Sequence, residues 1–109
     1  MDFQTAVKTC FSKYTDFKGR ASRSEYWWFV LAELVVLIVA GLVHEYVYFI
    51  AALAFLLPVL AVGARRLHDI GKSGWLQLLM IIPIVNLVLI YFYVQPSQPE
   101  ANPHGAPAA

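Results

Sequence analysis

Three long apolar runs dominate this chain: residues 26–43, broken only by Glu33, then residues 46–64, then residues 74–94. At about 1.5 Å of rise per residue, each is long enough to cross the roughly 30 Å hydrocarbon core of a bilayer as a helix. Of 109 residues, 60% are hydrophobic and 14% charged, whereas soluble domains sit near 45–50% and about 25%. The fold class expected is an all-α membrane protein, with residues 1–94 forming one membrane domain. It comprises an N-terminal interfacial amphipathic helix and three transmembrane helices at 26–43, 46–64 and 74–94.

The first run, about 18 residues behind a charged leader, exceeds the ~7–15 residues of a signal-peptide core and reads as a retained signal anchor. Only His44 and Glu45 separate it from the second run, so the two form an antiparallel hairpin. Pro58 and Pro83 each remove a backbone hydrogen bond inside a run. A re-entrant hairpin at Pro83 is the rival to a continuous third span, disfavoured because arms of about ten residues are too short to cross. Ahead of the runs, residues 2–14 place Phe3, Val7, Cys10, Phe11 and Tyr14 on one helical face, opposite Thr5, Lys8, Thr9, Ser12 and Lys13. With so little soluble protein to pack against, that helix is expected to lie in the headgroup plane.

The positive charge is segregated: Lys8, Lys13, Lys18, Arg20 and Arg23 precede the first run, and Arg65, Arg66 and Lys72 precede the third. By the positive-inside rule the N-terminus and the 65–73 loop are cytoplasmic, and the 44–45 turn and the C-terminus lie outside. Aromatic residues agree, with Tyr26, Trp27, Trp28 and Trp75 at the inner interface and Tyr46, Tyr48, Tyr91 and Tyr93 at the outer. A nucleic-acid partner would want a broad basic face, and basic residues pressed against apolar spans do not supply one. The lone Cys10 reads as a small apolar residue. His44, His68 and His104 show no metal-ligand spacing, and no cofactor is implied. Residues 95–109, with four prolines and almost no charge, are expected to form a disordered tail.

Two polar clusters flank the inner leaflet: Phe17-Lys18-Gly19-Arg20-Ala21-Ser22-Arg23-Ser24-Glu25-Tyr26-Trp27 and Arg65-Arg66-Leu67-His68-Asp69-Ile70-Gly71-Lys72-Ser73-Gly74-Trp75. This pairing resembles the small bacterial inner-membrane family known as domain of unknown function 805, over roughly residues 12–94. Its pattern Phe-x-Gly-Arg-x-x-Arg-x-Glu-aromatic-Trp falls on Phe17, Gly19, Arg20, Arg23, Glu25, Tyr26 and Trp27. Its Arg-Arg-Leu-His-Asp block falls on Arg65 to Asp69, followed by Ser73, Gly74 and Trp75, with Pro83 in an Ile-Pro pair. Of the Gly-x-Asn-x-aromatic-Gly-x-Asp-Pro ending frequent in the family, Asn102 and Gly105 keep their places. The resemblance implies the bacterial plasma membrane and a multi-pass fold, and no activity.

On the residues themselves, Ser22 or Ser24 suits a helix N-cap with Glu25 in the first turn. Arg20 and Arg23, three apart, would share a face of that helix, and the hairpin would bring them beside Arg65 and Arg66. These four arginines are the candidate site for an anionic lipid headgroup or a partner, because guanidinium pairs bidentately with phosphate. Glu25, Glu33, His68 and Asp69 are expected as structural polar partners, Asp69 pairing with a nearby arginine. His68 and Asp69, adjacent on a helix, point in different directions and need not form a dyad. Gly71-Lys72-Ser73 is not a phosphate loop, since the first glycine required would fall on Arg66. Glu33, about 10 Å into the first span, must face protein or water, with Gln77 and then Asn86 on the third span, or Arg65 or Arg66 reaching down from the second, as candidate partners.

The function expected is a non-enzymatic membrane scaffold or interaction protein, homo-oligomeric or bound to a larger membrane partner. A transporter or channel subunit using Glu33 and Asn86 is the alternative. A lipid-modifying enzyme using His68 and Asp69 is a weaker third.

Overall fold

The computed structural model describes residues 2–105, except the side chain of Ile81. Four α-helices follow in order, α1 (Phe3–Ser12), α2 (Arg23–Val43), α3 (Glu45–Asp69) and α4 (Asn86–Tyr93), with a 3-10 segment at Gly74–Ile81 between the last two. The described residues contain no strand, only an isolated bridge between Asn102 and Gly105.

α2 and α3 are long and apolar enough to cross a membrane, and only 22% and 33% of their most apolar stretches are buried inside the protein. The core helix of a soluble protein would bury most of that stretch. Here Leu42 is 83% and Leu53 71% exposed, an apolar surface suited to lipid. One residue joins the two helices. The His44 backbone is extended, its N–H donates to Ala40 O at 3.1 Å, and its Nδ1 accepts from Tyr46 N at 3.1 Å.

α3 runs five residues beyond the expected end of the second span, so Arg65 to Asp69 form its last turns rather than a loop. Cations at a helix C-terminus complement the macrodipole, and Leu67 packs into the core. Gly71 closes the helix with a φ of +79°, and Lys72 N returns to Leu67 O at 2.8 Å. A side chain at Gly71 would also collide with the Gln98 amide, so glycine fits on both counts.

The third apolar run is not a continuous helix. Its 3-10 segment ends at Ile81, Val85 N bonds back to Pro83 O at 2.8 Å, Ile84 takes a φ of +71°, and α4 then runs back the way the chain came. Tyr93, at the end of α4, stacks on Tyr26 at 4.4 Å, and its carbonyl accepts from Trp27 Nε1 at 3.0 Å. Tyr93 therefore sits beside the inner-girdle aromatics and not at the opposite interface. Gly74 likewise lies against Ala64 and His68. Both ends of the segment meet the same end of the α2–α3 hairpin, as the rival reading at Pro83 required, and residues 98–105 share that end. Proline forbids the helical bond there, and β-branched Ile84 in the left-handed region completes the reversal.

α1 begins at Asp2, whose carboxylate accepts from Thr5 N at 2.8 Å. It packs on α2 through Ala6, Val7 and Cys10, while Phe3, Phe11 and Tyr14 remain substantially exposed. Phe11 still joins Phe29 and Phe55 in a triad of rings with centroids 5.3–5.4 Å apart.

Candidate functional site: a buried arginine–carboxylate cap

Ser22 caps α2, its hydroxyl accepting from Glu25 N at 3.3 Å. Since α2 starts at Arg23, Arg20 stands before the helix, and the two arginines do not share a helical face. Arg20 turns inward and is buried, whereas Arg23 is exposed and donates to Val94 O at 3.3 Å.

Arg20 uses its whole guanidinium. Nε donates to Asp69 Oδ1 at 2.9 Å, Nη1 to Glu100 O at 3.0 Å and Gly105 O at 3.1 Å, and Nη2 to Asp69 O at 3.1 Å and Gln98 O at 2.8 Å. An arginine has five N–H donors, and all are engaged. Arg66 Nη1 donates to the other oxygen of Asp69 at 3.1 Å, Nε to Tyr93 O at 3.1 Å, and Nη2 to Gln95 O. Asp69 thus bridges two guanidiniums, one through each oxygen. Arg65 donates through Nη1 to Glu25, and its buried Nε and Nη2 have no partner among the described residues. Arg65, Arg66 and Asp69 are 0% exposed and Glu25 2%. Burial of this kind is tolerable only where charges are paired and hydrogen-bonded.

The tail completes the cap. Gln98 N donates to Asp69 O at 3.0 Å, and Asn102 Nδ2 to His68 O at 2.9 Å, which also accepts from Gly71 N, so tail groups bond the last carbonyls of α3. The His104 ring stacks parallel on His68 at 3.9 Å. Residues 95–105, expected to be disordered, are instead bonded to the cap, because buried guanidiniums need acceptors and the tail backbone supplies them. Residues 106–109 of the expected tail lie outside the described residues.

Sequence reasoning brought Arg20, Arg65 and Arg66 together with Glu25 and Asp69, as the structure does. It left the charge not neutralised by Glu25 and Asp69 to phosphate headgroups, whereas three of the four arginines are buried inside the protein. It missed the carbonyls of residues 93–105, which carry no side-chain signature; Asn102 and Gly105, the two retained family positions, were the only sign. His68 does not form a dyad with Asp69: its Nδ1 lies 3.0 Å from Gly19 O, and both Asp69 oxygens hold arginines. Glu33 is half-buried and its carboxylate makes no hydrogen bond or ion pair among the described residues. Gln77, the partner expected for it, donates to Leu60 O at 3.1 Å. Burial pushes the Cys10 thiol up to about 12, with the neighbouring Glu25 adding to the effect, so it serves as a small apolar residue. The His104 imidazole is held below its ordinary value by desolvation and by the neighbouring His68 and Arg20.

Two apolar helices with outward-facing surfaces, closed at one end by a desolvated ionic cap, define a small helical membrane protein. The chain belongs to the family described as protein of unknown function (DUF805), which it matches over residues 14–106. That match runs through the tail, beyond the limit near residue 94 expected from the two motifs. Among its relatives are two from Escherichia coli (strain K12). Inner membrane protein YhaI is 38% identical over 100 residues, covering 84% of this chain and 85% of the relative. Inner membrane protein YhaH is 36% identical over 104 residues, covering 84% and 86%. No solved structure matches.

Proposed function

We propose that this is a multi-pass bacterial inner-membrane protein acting as a non-enzymatic scaffold, with α2 and α3 crossing the bilayer and residues 74–93 entering and leaving from one side. The N-terminus is cytoplasmic, following the distribution of lysine and arginine, and the tail returns to the same side. The observation that carries this reading is Arg20, whose five bonds fasten residues 98–105 to the end of α3. The cap gives the cytoplasmic end a fixed shape, and the exposed apolar faces of α2 and α3 are left for lipid, a second copy or a larger membrane partner. α1 lies at the interface with Phe3 and Tyr14 toward the headgroups. The lipid-attracting charge of the collar then falls to Arg23 and the lysines at 8, 13, 18 and 72, while Arg20, Arg65 and Arg66 hold the cap.

Reporters fused before residue 1, after residue 109 and at His44 test the placement. Cytoplasmic signals from both termini and an external one at His44 are expected; an external C-terminus would overturn it. The half-buried, unpaired carboxylate of Glu33 supports a second reading, a transport subunit. Solute or ion flux in liposomes abolished by Glu33→Gln would favour that reading over a scaffold.

A further inference from the structure

Beside the cap lies a cavity of about 1020 Å³ enclosed by α3, the start of the 3-10 segment, the 17–18 loop and the tail turn at 103–105. That volume is at the upper end of the ~300–1,000 Å³ usual for small-molecule sites. The wall changes character along its length. Leu60 and Ala64 lie two turns and one turn before His68 on α3, and Leu78 one turn beyond Gly74, so this side deepens toward the bilayer. At the mouth stand Lys18, His68 and His104, with His68 Nε2 on the side of lining residue Gly74. Among the described residues, none that lines the cavity carries a carboxylate.

We propose that this groove binds one anionic glycerophospholipid of the inner leaflet, its phosphate at the ammonium of Lys18 and an acyl chain along Leu60, Ala64 and Leu78. An apolar wall alone would accept any lipid; the ammonium of Lys18 selects a negative headgroup. The four arginines are a poorer site, because three are consumed within the cap. The proposal rests on the membrane placement above, and it gives the tail a second role: Pro103, His104 and Gly105 form one side of the mouth, so the lock at Arg20 also shapes the groove.

The test uses the full chain, purified and delipidated in neutral detergent. Native mass spectrometry follows titration with dioleoyl phosphatidylglycerol or dioleoyl phosphatidylcholine. One phosphatidylglycerol should be retained with a preference of roughly tenfold, equivalent to about 1.4 kcal/mol. Lys18→Gln, a change at an exposed residue that leaves folding intact, should remove the preference. Leu60→Trp, which fills the apolar part, should weaken both lipids. Equal binding of the two lipids by the unaltered protein, or an undiminished preference in Lys18→Gln, would overturn the site. So would full displacement by inorganic phosphate, which would assign it to a free anion. The binding is read in detergent, so an external C-terminus in the reporter experiment would sink the placement without deciding the groove. A failed lipid preference would sink the groove and leave the placement standing.

Discussion

The two ends of the α2–α3 hairpin are built on opposite principles. At one end, residues 18–25 and 65–69 join segments up to 85 positions apart through buried ion pairs and backbone carbonyls. At the other, the His44 turn closes on itself, with local ring contacts such as His44–Tyr46 and Tyr48–Phe49 and a surface of exposed leucine, valine and isoleucine. Directional bonds specify the first end. The second has almost none, and its shape follows from helix propensity and from whatever apolar medium covers it. Specificity in this protein is therefore concentrated where charge is removed from water, and tolerance where the surface is already lipid-like.

The sharpest challenge to that contrast is Asp69→Asn. It strips the counter-charge from two guanidiniums that have no access to solvent, and a loss of about 3–5 kcal/mol is expected. Leu53→Ala at the other end should stay within about 0.5 kcal/mol, both read from thermal unfolding in the same membrane mimic. Comparable losses would erase the distinction.

Arg20→Gln divides the cap internally. It removes charge-assisted bonds worth about 1.5–3 kcal/mol, so the amides of Gln98 and Asn102 should exchange with solvent roughly ten- to a hundredfold faster. Helix amides around Phe29 should not change. Unaltered exchange at Gln98 would mean that the tail is held by something other than Arg20.

A smaller effect is expected from pH. The proton on His104 is disfavoured while its ring lies on His68 and near Arg20. The undocked tail therefore binds that proton more readily, and docking is complete above the ordinary histidine range, about 6.5, and weakens as pH falls through it. Exchange at Gln98, corrected for its intrinsic pH dependence, should rise between about pH 8 and about pH 5. His104→Phe keeps the ring and should flatten the response.

The smallest change is expected at Glu33→Gln, because no hydrogen bond or ion pair of the carboxylate is lost. A melting temperature close to that of the unaltered protein is the expected result. A large drop would reveal a partner that binds this face of α2 in the membrane.

How much of this was legible depends on range. The hairpin, the Ser22 cap and the meeting of Arg20 with Arg65 and Arg66 follow from periodicity, capping chemistry and the short turn at His44, all features carried by side chains nearby in sequence. The break at 82–85 was visible as Pro83, but hydropathy sees one largely apolar run over 74–94 whether it runs straight or folds back. What decides between these is the attachment of Tyr93 and Gln95 to Trp27 and Arg66, made through carbonyls that every residue possesses. The tail misled for the same reason: proline, alanine and glycine lack an apolar core, yet their backbone oxygens are good acceptors for a buried arginine.

The bonds of Arg20 also impose an order in time. A ribosome delivers Arg20 some eighty residues before it delivers Gln98, Glu100 and Gly105. Throughout that interval the α2–α3 hairpin can insert, but Arg20 still lacks three of the five acceptors that let it leave water. The cap therefore closes only once residue 105 has been made, and a chain truncated before residue 98 would present a hydrated Arg20 at the membrane surface. Quality control that recognises exposed charge beside a membrane helix would have a natural mark by which to tell the unfinished chain from the finished one.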